Sequence, residues 1–247
     1  MNLKSYLDST YLKTAEQAGI CEEANTKVVE GFVKEAIDEG FKLIMIRPNM
    51  VSLAKKMIIE AHSTVDVGTV IGFHEGTNST EQKVAEATQA IEDGADDLDF
   101  VCNYEAFKRG EIDYVRNEII QGTQLGLSHH KIVKWIIEVA ALNDTQIIQF
   151  CALIKNTVLS HFKEECLHNV FVKSSTGFYS TTNGLPNGAT HSSIVLMLEN
   201  ASPLPVKAAG GVRTYEEAIE MIQLGVKRIG TSSAKAIVNG EISKSDY

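Results

Sequence analysis

Two spacings of apolar residues alternate along the chain. Short runs rich in apolar and β-branched residues fall at 6–8, 41–47, 67–73, 97–102, 132–139, 169–174, 205–209 and 227–230, and runs of that length bounded by turn residues predict strands. Between them lie longer stretches with helical spacing, at 22–39, 79–93, 113–125 and 215–224. Each is followed by a glycine, Gly40, Gly94, Gly126 and Gly225, placed where a helix C-terminus favours a left-handed residue. Thr80 with Lys83 three residues on makes no capping box. Thr214 followed by Glu216 and Glu217 puts acids in a first turn, where the helix dipole favours them.

Strand and helix therefore alternate strictly, which implies parallel strands joined by right-handed crossovers. No Pro/Ser-rich linker or charge run interrupts the series, so one domain over 1–247 is expected, with a polar, mobile tail at about 240–247. An open doubly wound sheet would carry its glycine-rich turn after the first strand, but Asp8-Ser9-Thr10-Tyr11 stands there. The glycine-rich turns follow the last two strands instead, where barrels bind phosphate. With about eight strands in 247 residues, the expected fold is a single-domain (β/α)8 TIM barrel.

Composition narrows the partners. The 23 Lys+Arg against 32 Asp+Glu leave a net charge of −9, which argues against nucleic acid or an anionic membrane as partner, since such surfaces need clustered cations. An anionic ligand would need a local site. Cys21, Cys102, Cys151 and Cys166 form no Cys-x-x-Cys pair and read as reduced, buried small residues. The N-terminus lacks the apolar segment of a signal peptide, and no apolar run is long enough to span a bilayer. A soluble cytoplasmic protein is expected.

Catalytic groups of barrels sit at the C-terminal ends of strands. Lys173 closes the sixth strand and opens a Ser/Thr/Gly loop; Lys207 lies in the seventh, flanked by small residues. A strand-end lysine can simply reach for solvent. Two lysines on adjacent strands, however, repel, and a neighbouring cation together with burial lowers an amine's pKa and makes it nucleophilic. Asp99 lies deep in the apolar fourth strand, on the same face as Asp97 by period two. An inward acid needs a partner, Lys173 or Lys207, and could shuttle protons. Asp96 and Asp97 fit a solvated beginning of the strand.

Gly210-Gly211-Val212-Arg213 after strand seven and Gly230-Thr231-Ser232-Ser233 after strand eight offer close backbone approach, N–H groups and hydroxyls to an anion, and Gly177 could join them. His74 at the rim of strand three reads as structural, and His129-His130 as an exposed pair before strand five. Met45 faces core or pocket. No His/Cys/Asp/Glu cluster has metal-ligand spacing. Tyr247, at the end of the tail, could fold over the pocket and supply a phenol.

These residues carry a resemblance. Leu7-Asp8-Ser9-Thr10, Thr69 to Phe73, Gly94-Ala95-Asp96 with Leu98-Asp99, Phe171 to Phe178, Lys207 to Thr214 and Arg228 to Ser232 run in order across nearly the whole chain and together resemble the deoxyribose-phosphate aldolase family. The resemblance implies a class I aldolase interconverting 2-deoxy-D-ribose 5-phosphate with acetaldehyde and D-glyceraldehyde 3-phosphate, with no metal and no organic cofactor. It implies Lys173 as the Schiff-base lysine, Lys207 as the lysine that tunes it and Asp99 as the proton-transfer acid. It also implies that Gly177, Gly210, Gly211, Gly230, Ser232 and Ser233, with the loop of Arg213, hold the phosphate. Partners are then small-molecule sugar phosphates and aldehydes; a homodimer is one assembly the resemblance allows.

The chain departs from the family pattern at His74-Glu75, where members commonly have Pro-Leu, at Ser9, where many have His, and at Met45, where some have Cys. None removes a catalytic group; they bear on the acetaldehyde side of the pocket. Two other readings stay open: a Schiff-base aldolase or transaldolase for another sugar phosphate, separable by substrate assays, and a non-catalytic sugar-phosphate regulator, against which the intact lysine pair speaks.

Overall fold

The structure, a computed structural model, describes residues 2–182 and 184–241. Eight parallel strands close into a barrel in chain order: β1 Leu7–Thr10, β2 Leu43–Ile46, β3 Asp66–Ile71, β4 Asp97–Val101, β5 Ile132–Ile136, β6 Val170–Lys173, β7 Val206–Ala209 and β8 Arg228–Thr231. Closure is made by β8 on β1, with Leu7 opposite Ile229 and Ser9 opposite Thr231. The helices are α1 Ala15–Ala18, α2 Glu22–Glu39, α3 Val51–Glu60, α4 Thr80–Glu92, α5 Tyr104–Lys108, α6 Ile112–Ser128, α7 Asp144–His161, α8 His191–Ala201, α9 Tyr215–Leu224 and α10 Ala234–Asn239. The expected (β/α)8 barrel is therefore what the alternation of elements builds. Of the expected tail only Gly240 and Glu241 are described; Tyr247 lies outside the described residues.

Caps set the helix ends. Gly40 closes α2 in the left-handed region, φ 67°. Ser79 and Gln82 form the reciprocal capping box of α4, one residue before the Thr80 that the spacing brings to notice, and Thr214 with Glu217 forms the box of α9. Gly126 does not end α6, which continues to Ser128. A Cβ there would overlap Val133 Cγ2 on β5, so this glycine serves close helix–strand approach rather than termination.

The main core lies between barrel and helices. A smaller apolar cluster, Leu12, Leu43, Met45 and Val70 with Phe73 and Phe178 packed on it, fills the barrel on the β1–β3 side and settles Met45 as buried. Cys102 and Cys151 are buried, whereas Cys21 is exposed in front of α2 and Cys166 is half-buried. No helix among the described residues is long and apolar enough to cross a membrane.

Candidate active site

The rest of the barrel interior is ionic. Asp97 and Asp99 on β4 both point inward, as period two requires, and Lys134 of β5 reaches them at 2.6 and 2.7 Å. Asp99 Oδ2 also receives Lys173 Nζ of β6 and Lys207 Nζ of β7, each at 2.9 Å. Lys207 lies 2.6 Å from Asp8 of β1, and Asp8 pairs with Arg228 of β8 at 2.6 Å. Arg228 is 3.4 Å from Asp97. Register explains the meeting: Asp99 stands opposite Lys134, and Lys173 opposite Lys207.

Asp97 is thus buried, not at a solvated beginning of β4. What keeps it inside is an ion pair with Lys134, without which an inward carboxylate would be costly. Asp96 is half-exposed and holds Lys55 at 2.7 Å and the Val67 N–H at 2.9 Å.

Electrostatics separate the roles of these groups. Burial drives the Lys173 amine down to about 8, against the upward pull of Asp99, and the positive charges of Lys207 and Lys134 add to the fall. Burial pushes Asp99 up, but Lys134, Lys173 and Lys207 outweigh it and hold the carboxyl well below 3.8. Lys134, with two carboxylates outweighing its burial, is raised instead. The arrangement supplies an amine that deprotonates near neutrality and, touching it, an acid that stays ionised.

Above Lys173 opens a cleft lined by Thr10, Leu12, Lys173, Thr176, Gly177, Asn187, Gly210, Gly211, Gly230 and Ser232, among others. The cleft brings together Gly177, Gly210, Gly211, Gly230 and Ser232. Ser233 lies one residue behind it, as the N-cap residue of α10, with its N–H on Thr231 Oγ1 at 3.0 Å. Thr231 Oγ1 in turn donates to the Val212 carbonyl at 2.7 Å, tying the two glycine loops together. The loop after β6 is fixed to the end of β7: Ser174 Oγ accepts the Ala209 N–H at 2.9 Å, and the Ala189 N–H reaches Gly210 O at 2.8 Å.

Beyond β3, His74 stacks on Phe178, centroids 5.7 Å apart, Phe73 meets Phe178 edge-on at 5.0 Å, and the Arg47 guanidinium covers Phe73 at 4.6 Å. His74 is therefore part of an aromatic wall, consistent with a structural role. His129 and His130 are exposed. Among the described residues no group of three or more His, Cys, Asp or Glu is arranged to hold a metal ion.

The sequence assigned no role to Lys134, Arg228, Asp8 or Glu138, although Asp8 and Arg228 stand in motifs that carry the resemblance. A signal existed for Lys134, a lone charge inside the apolar run of β5, to which the argument made for Asp99 applies equally. Glu138 showed only as an interruption of an apolar run.

A buried lysine with its pKa drawn down towards neutrality, at the floor of a glycine-lined cleft in a parallel barrel, is a group suited to attack a carbonyl. The DeoC/LacD family aldolase pattern matches residues 11–240. A deoxyribose-phosphate aldolase of Thermococcus gammatolerans is 39% identical over 97% of this chain and 96% of its own. That of Streptococcus pneumoniae serotype 19F is 35% identical over 100% of both. A solved aldolase, 32% identical, superposes with a TM-score of 0.80 over 97% of this chain and 95% of that one. The tetrameric deoxyribose phosphate aldolase of Aeropyrum pernix, 27% identical, does so with a TM-score of 0.75 over 96% and 89%. The chain belongs to the DeoC/LacD aldolase family.

Proposed function

We propose that the chain reversibly cleaves 2-deoxy-D-ribose 5-phosphate to acetaldehyde and D-glyceraldehyde 3-phosphate through an imine on Lys173. One observation carries the mechanism: the Lys173 amine, held at about 8, sits against Asp99 and beside Lys207 at the floor of the glycine-lined cleft. The name shared by the full-length relatives supports the substrate.

In this reading neutral Lys173 attacks C1 of the open-chain sugar phosphate, and loss of water from the carbinolamine leaves an iminium. The C3 hydroxyl gives up its proton to water, the C2–C3 electron pair flows into the iminium, and glyceraldehyde 3-phosphate departs, leaving an enamine. A proton delivered to C2 through Asp99, Lys207 and water restores the iminium, and hydrolysis releases acetaldehyde and the amine. The phosphate rests at Gly177, Gly210, Gly211, Gly230 and Ser232, where backbone amides and a hydroxyl favour an anion.

Borohydride reduction with acetaldehyde, followed by peptide mapping, tests the assignment. A single adduct on Lys173 is expected; an adduct on another lysine, or none, would overturn it. Release of glyceraldehyde 3-phosphate from deoxyribose 5-phosphate, but not from ribose or fructose phosphates, tests the substrate.

A further inference from the structure

The loop just beyond Lys173 is held by a side chain the proposed reaction does not use. Glu138 follows β5, is buried, and adopts φ 55°, ψ 71°, a left-handed conformation that residues with a Cβ seldom take outside functional or over-determined sites. Its carboxyl meets the loop after β6. Oε1 lies 2.7 Å from Ser175 Oγ; Oε2 accepts the Thr176 N–H at 3.1 Å and the Thr176 hydroxyl. Ser175 Oγ is also 2.7 Å from the Asn187 carbonyl oxygen and accepts the Gly177 N–H at 2.9 Å.

Counting protons bears on the state of the acid. A serine hydroxyl has one hydrogen to donate, yet Ser175 Oγ faces two oxygens at bonding distance. Were Glu138 ionised, both would be pure acceptors, and one 2.7 Å contact would have no proton between its oxygens. A proton on Glu138 Oε1 resolves this. Glu138 then donates to Ser175, Ser175 donates to Asn187, and Ser175 still accepts from Gly177.

We propose that Glu138 is a positioning residue that keeps its proton in the closed site and thereby clamps the Ser175–Gly177 turn and Asn187 together at the anion-binding end of the cleft. The inference rests on the phosphate reading of that end, because Gly177 and Asn187 line it and Asn187 Nδ2 donates to the Gly177 carbonyl at 3.0 Å. The titratable groups facing Glu138 are Lys173 of β6 and Tyr104 of α5. Burial raises the Glu138 carboxyl above 4.5, and the hydrogen bonds from Thr176 and Ser175 and the charge of Lys173 do not cancel it. An ionised Glu138 would hold the proton on Lys173, so clamp and nucleophile favour the same neutral acid.

The sign of the pH dependence follows. The closed loop binds this proton more tightly than the opened loop, so the clamp holds at low pH and is lost as pH rises through the closed-state pKa, above 4.5. Glu138→Gln removes the titration but keeps the pattern: the amide N–H replaces the carboxyl proton, and its oxygen still accepts from Thr176.

The test is amide hydrogen exchange of the segment 174–189, in full-length wild type and Glu138→Gln, from about pH 5 to about pH 9, corrected for the intrinsic pH dependence of exchange. The two proteins should agree at the acid end, and wild type should loosen relative to the variant by about fivefold at the alkaline end. KM for the sugar phosphate should change with pH more steeply in wild type than in the variant, where only the titrations of Lys173 and of the phosphate remain. Equal exchange at every pH, or a variant already loose at the acid end, overturns the proposal. If the variant does not fold, carboxyl-carbon NMR of wild type decides: Glu138 must keep its proton above the range where exposed glutamates lose theirs, and titration alongside them overturns it. Borohydride trapping at Lys173 reads the chemistry separately, so failure of the reaction and failure of the clamp are distinguishable.

Discussion

Lys207→Met isolates the electrostatic part of the mechanism. The replacement strands no carboxylate: Asp8 keeps Arg228, and Asp99 keeps Lys134 and Lys173. The stability loss should therefore fall below the ~3–5 kcal/mol typical of leaving a buried charge unpaired. Lys173 and Lys207 both lie 2.9 Å from the same Asp99 Oδ2, facing each other across one oxygen. Two like charges about 5 Å apart repel by roughly 3 kcal/mol at an effective dielectric of about 20, which corresponds to about two pKa units. Without Lys207 the Lys173 amine should climb from about 8 towards its ordinary 10.5. At pH 7 its neutral fraction, and with it the rate of imine formation, should fall about a hundredfold. The assay is the rate of borohydride trapping with acetaldehyde as a function of pH. The lost rate should return at alkaline pH, because the amine is neutral above its pKa. Near wild-type trapping at neutral pH with an unshifted profile would refute the tuning role.

Asp99→Asn should slow solvent deuterium entry into the acetaldehyde methyl group by about 10²–10⁴-fold, read by proton NMR; wild-type exchange would remove Asp99 from proton transfer. Gly188→Ala would put a Cβ onto the Gly210 backbone. KM for the sugar phosphate should then rise about tenfold while that for unphosphorylated deoxyribose stays put, and a parallel change in both would show a general packing defect instead. Outside the barrel, Lys83 of α4 is buried, holds the Gly76 and Val101 carbonyls at 2.6 and 2.7 Å and pairs with buried Glu118 of α6. Lys83→Met should cost ~3–5 kcal/mol in urea unfolding, and adding Glu118→Leu should recover part of it; no recovery would mean that the carbonyl contacts, not the charge pair, hold the loop.

Periodicity was enough for the barrel because short apolar runs alternate with helical stretches throughout, and some of the helix ends, such as Gly40 after α2 and Thr214 before α9, are marked by cap residues. It failed where one residue type serves two ends: Gly126 looks like a helix stop but is a packing glycine against Val133. The site was half legible for a related reason. Lys173, Lys207 and Asp99 stand at strand positions whose neighbours are small or apolar, so their charge is conspicuous. Asp97 looked solvated because a second acid, Asp96, precedes it; only the closing of β5 beside β4 reveals Lys134 as the partner that lets it face inward. Glu138 was illegible, since its meaning depends on a left-handed backbone and on hydroxyls 37 and 38 residues away.

The ionic interior also explains why the Lys173 amine, of the lysines inside the barrel, is the one drawn down towards neutrality. Among the described residues the network joins Lys134, Lys173, Lys207 and Arg228 to Asp8, Asp97 and Asp99, so it carries one cation in excess when fully ionised. Lys134 touches Asp97 and Asp99, Lys207 touches Asp8 and Asp99, and Arg228 touches Asp8 and Asp97. Lys173 touches Asp99 alone, through an oxygen it shares with Lys207. Releasing one proton neutralises the cluster, and the lysine with the fewest carboxylates releases it most readily. The same count bears on how a chain of net charge −9 could take the proposed sugar phosphate. The molecule as a whole repels an anion, but the fully ionised network under the cleft carries one excess positive charge, and in the proposed reaction Lys173 gives up that charge when it becomes the nucleophile.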